Sequence, residues 1–291
     1  MLFRCAGLVI LLTLSGVATA QVQAGLSTNQ ILSRTERTTH DGFEHAADFD
    51  YCMTEHRGDK SKTYAVFMLS GSTYAQLVAT NGVPIPEMDL RNFADARKAE
   101  TERRTHETPA QYRTRVAQFE AEQHRNRALL REMPKAFEFE LRGNALKDGW
   151  ETFVLDVSPR ASYQPKDRMT RVLTGMRGTL WVDRQTFGWV RAEAMIVHPV
   201  MIEGFLARVE RGTRFAMEER PFGEGYWLPT LFTIKTKARI LFLFPTSSKQ
   251  EYTFFHYVPR GTLVPETCLA PPTPPASTEA QTAPPEPRRH P

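Results

Sequence analysis

The sequence predicts an α+β protein that is mainly β, in which helices pack against a single antiparallel sheet. Residues 178–258 contain short runs in which apolar and polar residues alternate, and this period of two is typical of strands with one buried face. The runs follow one another through tight turns, without the βαβ alternation of a parallel sheet. Two other segments combine helix N-caps with few strand formers, and these predict the helices.

The first 20 residues are typical of a secretory signal peptide. Arg4 supplies the positive charge, residues 8–14 the apolar run, and residues 18–20 a small-residue cleavage site. We therefore expect a mature chain that begins near Gln21, in the periplasm or another extracytoplasmic space. Loss of Arg4 lowers the formal net charge from +4 to about +3, and the basic residues are interspersed with acidic ones, so no nucleic-acid partner is predicted.

Two cysteines remain once the signal is removed, because Cys5 leaves with it. Cys52 falls in a predicted strand and Cys268 in the C-terminal segment. In an oxidising compartment such a pair can form a disulfide. Two unpaired thiols are the alternative, and the sequence leaves both open.

The mature chain begins with a predicted helix from about Asn29 towards Ala47, since hydroxyl and amide residues precede an apolar repeat there. Three alternating strands follow within residues 49–80. Ser70-Gly71 predicts the turn between the second and third strands, and Asn81-Gly82 predicts the turn that ends the third.

Residues 87–133 differ from the rest of the chain, with dense charges of both signs and few strand formers. Thr108 followed by Pro109 marks the start of a second helix in this segment, and Pro134 closes it. The segment therefore predicts a helical insertion between strands. Two interpretations remain open, namely an insertion that simply covers the core and a movable cover over the apolar face of the sheet.

Strands resume after the insertion, with turns predicted at Gly143-Asn144 and Asp148-Gly149. Residues 158–177 are basic and polar, and they predict a loop with a short helix that leads into the large sheet. After Val258 the composition changes again.

The C-terminal residues 261–291 are rich in Pro, Ala and Thr, with almost nothing to bury, and they predict a disordered tail. We therefore expect one folded domain, residues 21–260, between the signal peptide of residues 1–20 and this tail.

The sequence contains no motif of a catalytic or metal site. Neither the HExxH pattern of zinc proteases, the GxSxG nucleophile elbow nor a Gly-rich phosphate loop occurs. We therefore predict a protein that is not an enzyme and that uses no cofactor.

Apolar residues of one parity in the C-terminal strands predict a surface that could hold a ligand. Residues at alternate positions share one face of a sheet, and the alanines among them leave space near its middle. An acyl chain would be held by apolar area alone, at about 0.8 kcal/mol per buried methylene, so no polar motif is required. The residues predicted to line such an acyl-chain site are Val190, Ala192, Ala194, Phe205, Phe232, Ile234, Ile240 and Phe242.

The order of these elements resembles that of a known superfamily. The hairpin GTLWVD-turn-WVRAEA, residues 178–194, and the segment RVERGTRFAMEERPFGEGYWLPTLFTIKTKARILF, residues 208–242, are similar to the outer-membrane lipoprotein-sorting proteins, the LolA/LolB-like group that includes RseB/MucB. The resemblance implies an incomplete β-barrel of about ten strands, with helices covering its open side. It also implies an apolar interior that accepts acyl chains.

These observations together predict an extracytoplasmic lipid- or lipoprotein-binding protein of the bacterial cell envelope, which holds acyl chains in its half-barrel. The alternative is an envelope sensor or scaffold that binds protein partners through the sheet edge, the helical insertion or the tail. The first function requires a hollow concave face, whereas the second is compatible with a face filled by the chain's own helices.

Overall fold

The structure is a computed structural model that describes residues 25–167, 170–201, 207–240 and 244–270. The predicted signal peptide, the tail from residue 271 onwards, Phe205 and Phe242 lie outside the described residues, as does the side chain of Ile240. In the described part of the chain, no helix combines the length and the hydropathy of a membrane span.

The described chain begins with helix α1, Thr28–His45, as the sequence predicts. Ser27 forms a capping box with Gln30: Ser27 Oγ accepts a hydrogen bond from the Gln30 N–H at 3.3 Å, and Gln30 Oε1 accepts one from the Ser27 N–H at 2.9 Å. This reciprocal pair satisfies two backbone donors, so the local sequence determines where the helix begins. The helix ends in a 3₁₀ turn, Ala46–Asp48, that leads directly into the sheet.

Thirteen strands form one sheet within the described residues, where the sequence predicts about ten. The strands are β1 (Phe49–Arg57), β2 (Lys60–Leu69), β3 (Ser72–Thr80), β4 (Val83–Pro84), β5 (Phe137–Lys147), β6 (Trp150–Pro159), β7 (Met176–Asp183), β8 (Trp189–Ile196), β9 (Val200–Met201), β10 (Ala207–Val209), β11 (Arg214–Phe222), β12 (Tyr226–Ile240) and β13 (Phe244–Pro259). Their order is β4-β3-β2-β1-β13-β12-β11-β8-β7-β6-β5, with β10 beside β12 and β9 beside β10. β4 and β5 are the two edges, so the sheet stays open, and the predicted α+β class with an incomplete barrel is confirmed.

The sheet consists of two meanders joined by the C-terminal strands. β1–β4 form one meander and β5–β8 the other, while β11, β12 and β13 fill the space between them. β13 pairs antiparallel with β1 on one side and with β12 on the other. Because β4 and β5 are at opposite edges, the segment that connects them has to cross from one edge of the sheet to the other.

That connection is made by two helices, α2 (Glu87–Thr105) and α3 (Pro109–Ala136). Thr108 caps α3 through a second capping box with Gln111, and Pro109 occupies the first turn, as predicted. α3 packs against β3 near one edge of the sheet and against β5 at the other. The helical insertion therefore spans the open side of the half-barrel.

Two arginines attach the insertion to the turn between β2 and β3. The buried Arg104 guanidinium donates to the carbonyl oxygens of Leu69, at 2.6 Å, and Ser72, at 3.1 Å. Arg115 donates to the Ser70 carbonyl oxygen at 3.0 Å and to Ser72 Oγ at 2.7 Å. These hydrogen bonds tie the insertion to the backbone of the sheet.

Two local predictions are wrong for physical reasons. Gly143-Asn144 form no turn, because they lie within β5, where the register with β6 shifts between Leu141 and Gly143. Gly143 has a φ of +149°, which side-chain-bearing residues rarely adopt, and the extra residue is absorbed as a β-bulge. α3 continues past Pro134 to Ala136, because the Phe137 N–H still bonds the Met133 carbonyl oxygen in the last turn.

The segment after β13 returns to pack against β1, β2 and β3. Pro265–Leu269 form a 3₁₀ turn, and a disulfide joins Cys268 to Cys52 on β1, with the two Cα atoms 5.3 Å apart. Both cysteines are fully buried in a cluster that includes Phe67 and Phe255. Pro265–Leu269, which composition assigns to the tail, is thus packed on the sheet.

Helix α1 lies close to one face of the sheet, which we call the inner face. Gly42 approaches the Trp227 carbonyl oxygen so closely that a Cβ at this position would lie 2.3 Å from it. The glycine that lowers helix propensity here is therefore the residue that permits the contact. Trp227 is in turn held by its indole N–H, which donates to Thr186 Oγ1 at 3.0 Å.

Candidate functional site

A cavity of about 750 Å³ lies between α1, the C-terminal end of α3 and the inner face of the sheet around β5, β7 and β8. This volume is within the range of sites that bind small molecules. Its lining consists of Asn29, Leu32, Ser33, Thr35, Glu36, Arg37, Thr39, His40 and Phe43 from α1, Leu130, Arg131, Met133 and Pro134 from α3, Glu138, Phe139, Leu180 and Trp189 from the sheet, and Arg160 just after β6.

The deeper part of the lining is apolar. Leu32 on α1, Leu130 and Met133 on α3, and Phe139 on β5 are half-buried and pack against the core cluster that contains Leu180. The cavity is therefore continuous with the hydrophobic core between α1 and the sheet. A ligand that enters it meets apolar side chains from two helices and one sheet face.

Three residues of the lining carry a buried polar atom that has no hydrogen-bond partner among the described residues: Thr35 Oγ1, Thr39 Oγ1 and Trp189 Nε1. Thr35 is 4% exposed and Trp189 is 8% exposed, so water does not reach them freely. Leaving such a group unpartnered costs about 1–3 kcal/mol. Thr35 and Thr39 are one helical turn apart and share one side of α1. Because the indole N–H can only donate and hydroxyls can donate, these groups suit a ligand with oxygen acceptors.

The charged residues of the lining are exposed, in contrast to the buried hydroxyls. Arg37, Arg131 and Arg160 make no ion pair within the described part of the chain, and they outnumber the carboxylates of Glu36 and Glu138. The cavity therefore has a polar mouth with a positive balance and an apolar interior. This arrangement matches an amphipathic molecule whose polar end is anionic or rich in oxygen.

A buried carboxyl group lies next to the backbone of Trp189. Glu219 on β11 is 2% exposed and accepts a hydrogen bond from the Trp189 N–H, while its Oε2 has no partner among the described residues. Burial raises the pKa of Glu219 to about 8, although the Trp189 N–H opposes the shift. Glu219 is therefore mostly protonated at neutral pH, and the interior beside the cavity stays uncharged.

Five of the eight residues predicted to line an acyl-chain site have described side chains, and none of the five lines this cavity. These five are Val190, Ala192, Ala194, Phe232 and Ile234. Ala192 adjoins it, because it pairs with Leu180 across β7 and β8 and packs against the same core cluster.

Four of the predicted residues lie in two neighbouring cross-strand rows on the inner face. Ala192 pairs with Met217, and Met217 pairs with Phe232. In the next row, Phe215 on the central strand β11 pairs with Ala194 on one side and with Ile234 on the other. The structure therefore brings Ala192, Ala194, Phe232 and Ile234 together on adjacent strands, beside the cavity.

Val190 is separated from this set by an irregularity that the sequence does not reveal. The register between β7 and β8 shifts so that Val182 pairs with Trp189 and not with Val190. Trp189, which strict alternation places on the other face, therefore shares the inner face with Leu180 and lines the cavity. Sequence reasoning also missed Thr35 and Thr39, because only the packing of α1 on the sheet buries their hydroxyls.

No protein-family model and no curated protein matches the sequence. Solved structures with a similar fold include a candidate outer membrane lipoprotein-sorting protein domain from Vibrio parahaemolyticus, at 9% identity and a TM-score of 0.34, with 80% of this chain and 92% of that chain covered. A LolA superfamily protein from Nitrosomonas europaea is similar at 11% identity and a TM-score of 0.29, with coverages of 81% and 97%. A chain in the structure of the MucA/MucB complex of Pseudomonas aeruginosa is similar at 9% identity and a TM-score of 0.22, with 78% of this chain and 99% of that chain covered. These are members of the groups that the strand pattern of the sequence resembles, and the likeness is one of fold.

Proposed function

We propose that this protein is an extracytoplasmic binding protein of the cell envelope that holds the acyl part of a lipid or lipoprotein in the cavity beneath α1. The observation that supports it most is the combination of an apolar interior, three buried polar groups without partners among the described residues, and an exposed, mainly positive mouth. The proposed function is reversible binding, and no chemical step belongs to it.

The physical basis of binding is burial of apolar area. Each methylene that leaves water for the interior contributes about 0.8 kcal/mol, so a chain of several methylenes suffices for measurable affinity. The hydroxyls of Thr35 and Thr39 and the indole N–H of Trp189 would donate to ester, amide or carboxylate oxygens near the polar end. The free energy gained when these groups find partners would then add to the affinity for the ligand.

A longer acyl chain needs more length than the cavity alone offers. We assign the extension to the adjoining inner-face rows of Ala192, Ala194, Phe232 and Ile234, which continue from Leu180 along β8, β11 and β12. The small side chains of the two alanines would leave room there.

Displacement of a fluorescent fatty acid, cis-parinaric acid, by palmitate tests the proposal on the processed full chain after removal of co-purified lipid. We expect saturable binding of the probe, competition by palmitate, and lipid adducts in native mass spectra before the lipid is removed. If the probe shows no saturable binding and native spectra show only the bare polypeptide mass, the lipid function is wrong. In that case the sensor or scaffold alternative stands.

A further inference from the structure

The outer face of the sheet, opposite α1, has a dense group of cations at the end where β12 leads towards β13. Along β12 the side chains alternate, so that Phe232 and Ile234 belong to the inner face and Lys235 and Lys237 to the outer one. We call the following exposed residues of this surface the basic face: Arg177, Arg214, Lys235, Lys237 and Lys249.

Strand register places three of these cations side by side. Arg214 on β11 is directly opposite Lys235 on β12, and Lys235 is directly opposite Lys249 on β13. Neighbouring strands are about 4.8 Å apart, and like charges directly opposite each other destabilise a sheet. The fold therefore maintains an arrangement of charges that opposes its own stability.

Carboxylates offset little of this charge. Lys249 forms an ion pair with Glu251 at 3.1 Å. Arg177, Arg214, Lys235 and Lys237 form none with any residue that the structure describes.

Elsewhere on the same outer face the arginines are paired. Arg191 has both Glu218 and Glu193 as partners, and Arg142 pairs with Asp156 at 2.6 Å. The excess of positive charge is thus local and belongs to the end of the sheet near the β12–β13 connection.

We propose that the basic face docks the protein on the surface of an anionic phospholipid bilayer. The face is an exposed lattice of cations across three adjacent strands, which complements a plane of phosphate groups better than a single bound anion.

This inference is independent of the proposed ligand cavity, because the two surfaces are on opposite faces of the sheet. If the protein binds anionic vesicles but no fatty acid, the proposal for the basic face stands and the proposed function is wrong. If it binds fatty acid but no anionic vesicles, the proposed function stands and the proposal for the basic face is wrong.

Co-sedimentation of the processed full chain with vesicles tests the proposal. We expect binding to mixed phosphatidylcholine–phosphatidylglycerol vesicles, no binding to pure phosphatidylcholine, and loss of binding as salt screens the charges. The variant Lys235→Glu with Lys237→Glu should bind the mixed vesicles at least about tenfold more weakly, since it replaces two cations of the basic face with two anions.

The matched control reverses the same charge on the helical insertion. Lys98 on α2 and Arg113 on α3 are exposed, and Lys98→Glu with Arg113→Glu should leave vesicle binding unchanged. Folding of the first variant is checked by its melting temperature, which should not fall, because the carboxylate introduced by Lys235→Glu would lie opposite the cations of Arg214 and Lys249. Equal losses in both variants, binding to neutral vesicles, or preference for an acidic protein or DNA over the mixed vesicles would overturn the proposal.

Discussion

The backbone N–H of Trp189 donates a hydrogen bond to the buried carboxyl group of Glu219, and the indole of the same tryptophan forms part of the cavity wall. The link joins a titratable group on β11 to the cavity-lining strand β8 through one hydrogen bond. Because burial raises the pKa of Glu219 from 4.5 to about 8, the protonation of this group differs between the folded and unfolded chain at neutral pH.

This pKa shift predicts that Glu219 lowers stability as pH rises. The unfolded chain releases the proton near pH 4.5 and the folded chain near pH 8, so the free energy of unfolding decreases between these values. At pH 7 the loss is about 3 kcal/mol relative to a group that does not titrate. Glu219→Gln should therefore stabilise the protein at pH 7.5 and have much less effect at pH 4.5, as measured by urea unfolding. Glu224→Gln, at an exposed position, is the control, and an equal pH dependence in both variants would contradict the prediction.

The buried hydroxyl of Thr35 predicts opposite effects on stability and on ligand binding. Thr35→Val keeps the shape of the side chain and removes an unpartnered polar atom, so the free protein should gain about 1 kcal/mol in stability. Affinity for the fatty-acid probe should fall, because one donor to the ligand is lost. The control is Thr38→Val on the same helix, where the hydroxyl already donates to the Thr186 carbonyl oxygen at 2.8 Å. That variant should lose stability and keep probe affinity.

Removal of two neighbouring arginines of α2, Arg103 and Arg104, should lower the stability of the protein by very different amounts. The Arg104 side chain is 5% exposed and hydrogen-bonds the β2–β3 turn, whereas that of Arg103 is 55% exposed. Both pair with Glu100. Arg104→Met should cost about 3–5 kcal/mol, because it leaves the glutamate and turn carbonyl groups without their buried partner. Arg103→Met should cost less than about 1 kcal/mol, as expected for a surface ion pair. Comparable melting temperatures for the two variants would refute this attachment of the insertion.

The disulfide predicts a large loss of stability on reduction. It closes a loop with a sequence separation of 216, and loop entropy alone gives about 5 kcal/mol for a loop of this length. Intact-mass analysis after alkylation without reductant should show no modified thiol in the processed chain, and two modified thiols would rule the bond out. Cys268→Ser should lower the melting temperature to the value that the parent protein shows under reductant.

Local signals in the sequence predict most of the elements, because caps and turns depend on few neighbouring residues. Ser27 with Gln30 and Thr108 with Gln111 set the starts of α1 and α3, and Asn81-Gly82 ends β3. Strand alternation likewise predicts that Phe232 and Ile234 share the inner face, but it does not hold along all of β12, because the register with β11 shifts between Glu218 and Glu219. The pairing of β1 with β13 depends on the whole chain, so no local pattern indicates it.

The candidate site was harder to predict, because its lining comes from two helices and from a strand with a bulge. The shift at Val182 exchanges Trp189 for Val190 on the inner face, and a pattern of period two has no means of locating such a shift. Thr35 and Thr39 are ordinary helix-surface residues by composition, and only the packing of α1 on the sheet buries them. The burial of Arg104 in the charged insertion has the same origin.

The central position of β13 also has a consequence for biogenesis. While residues 244–259 are still inside the ribosome, β1 and β12 lack their shared neighbour, and the two meanders have no strand that joins them. Unpaired strand edges of this kind promote aggregation, and pairing between such distant segments is slow. The sheet therefore assembles only after synthesis of β13, because the strand that joins its two halves is the last of the thirteen to be made.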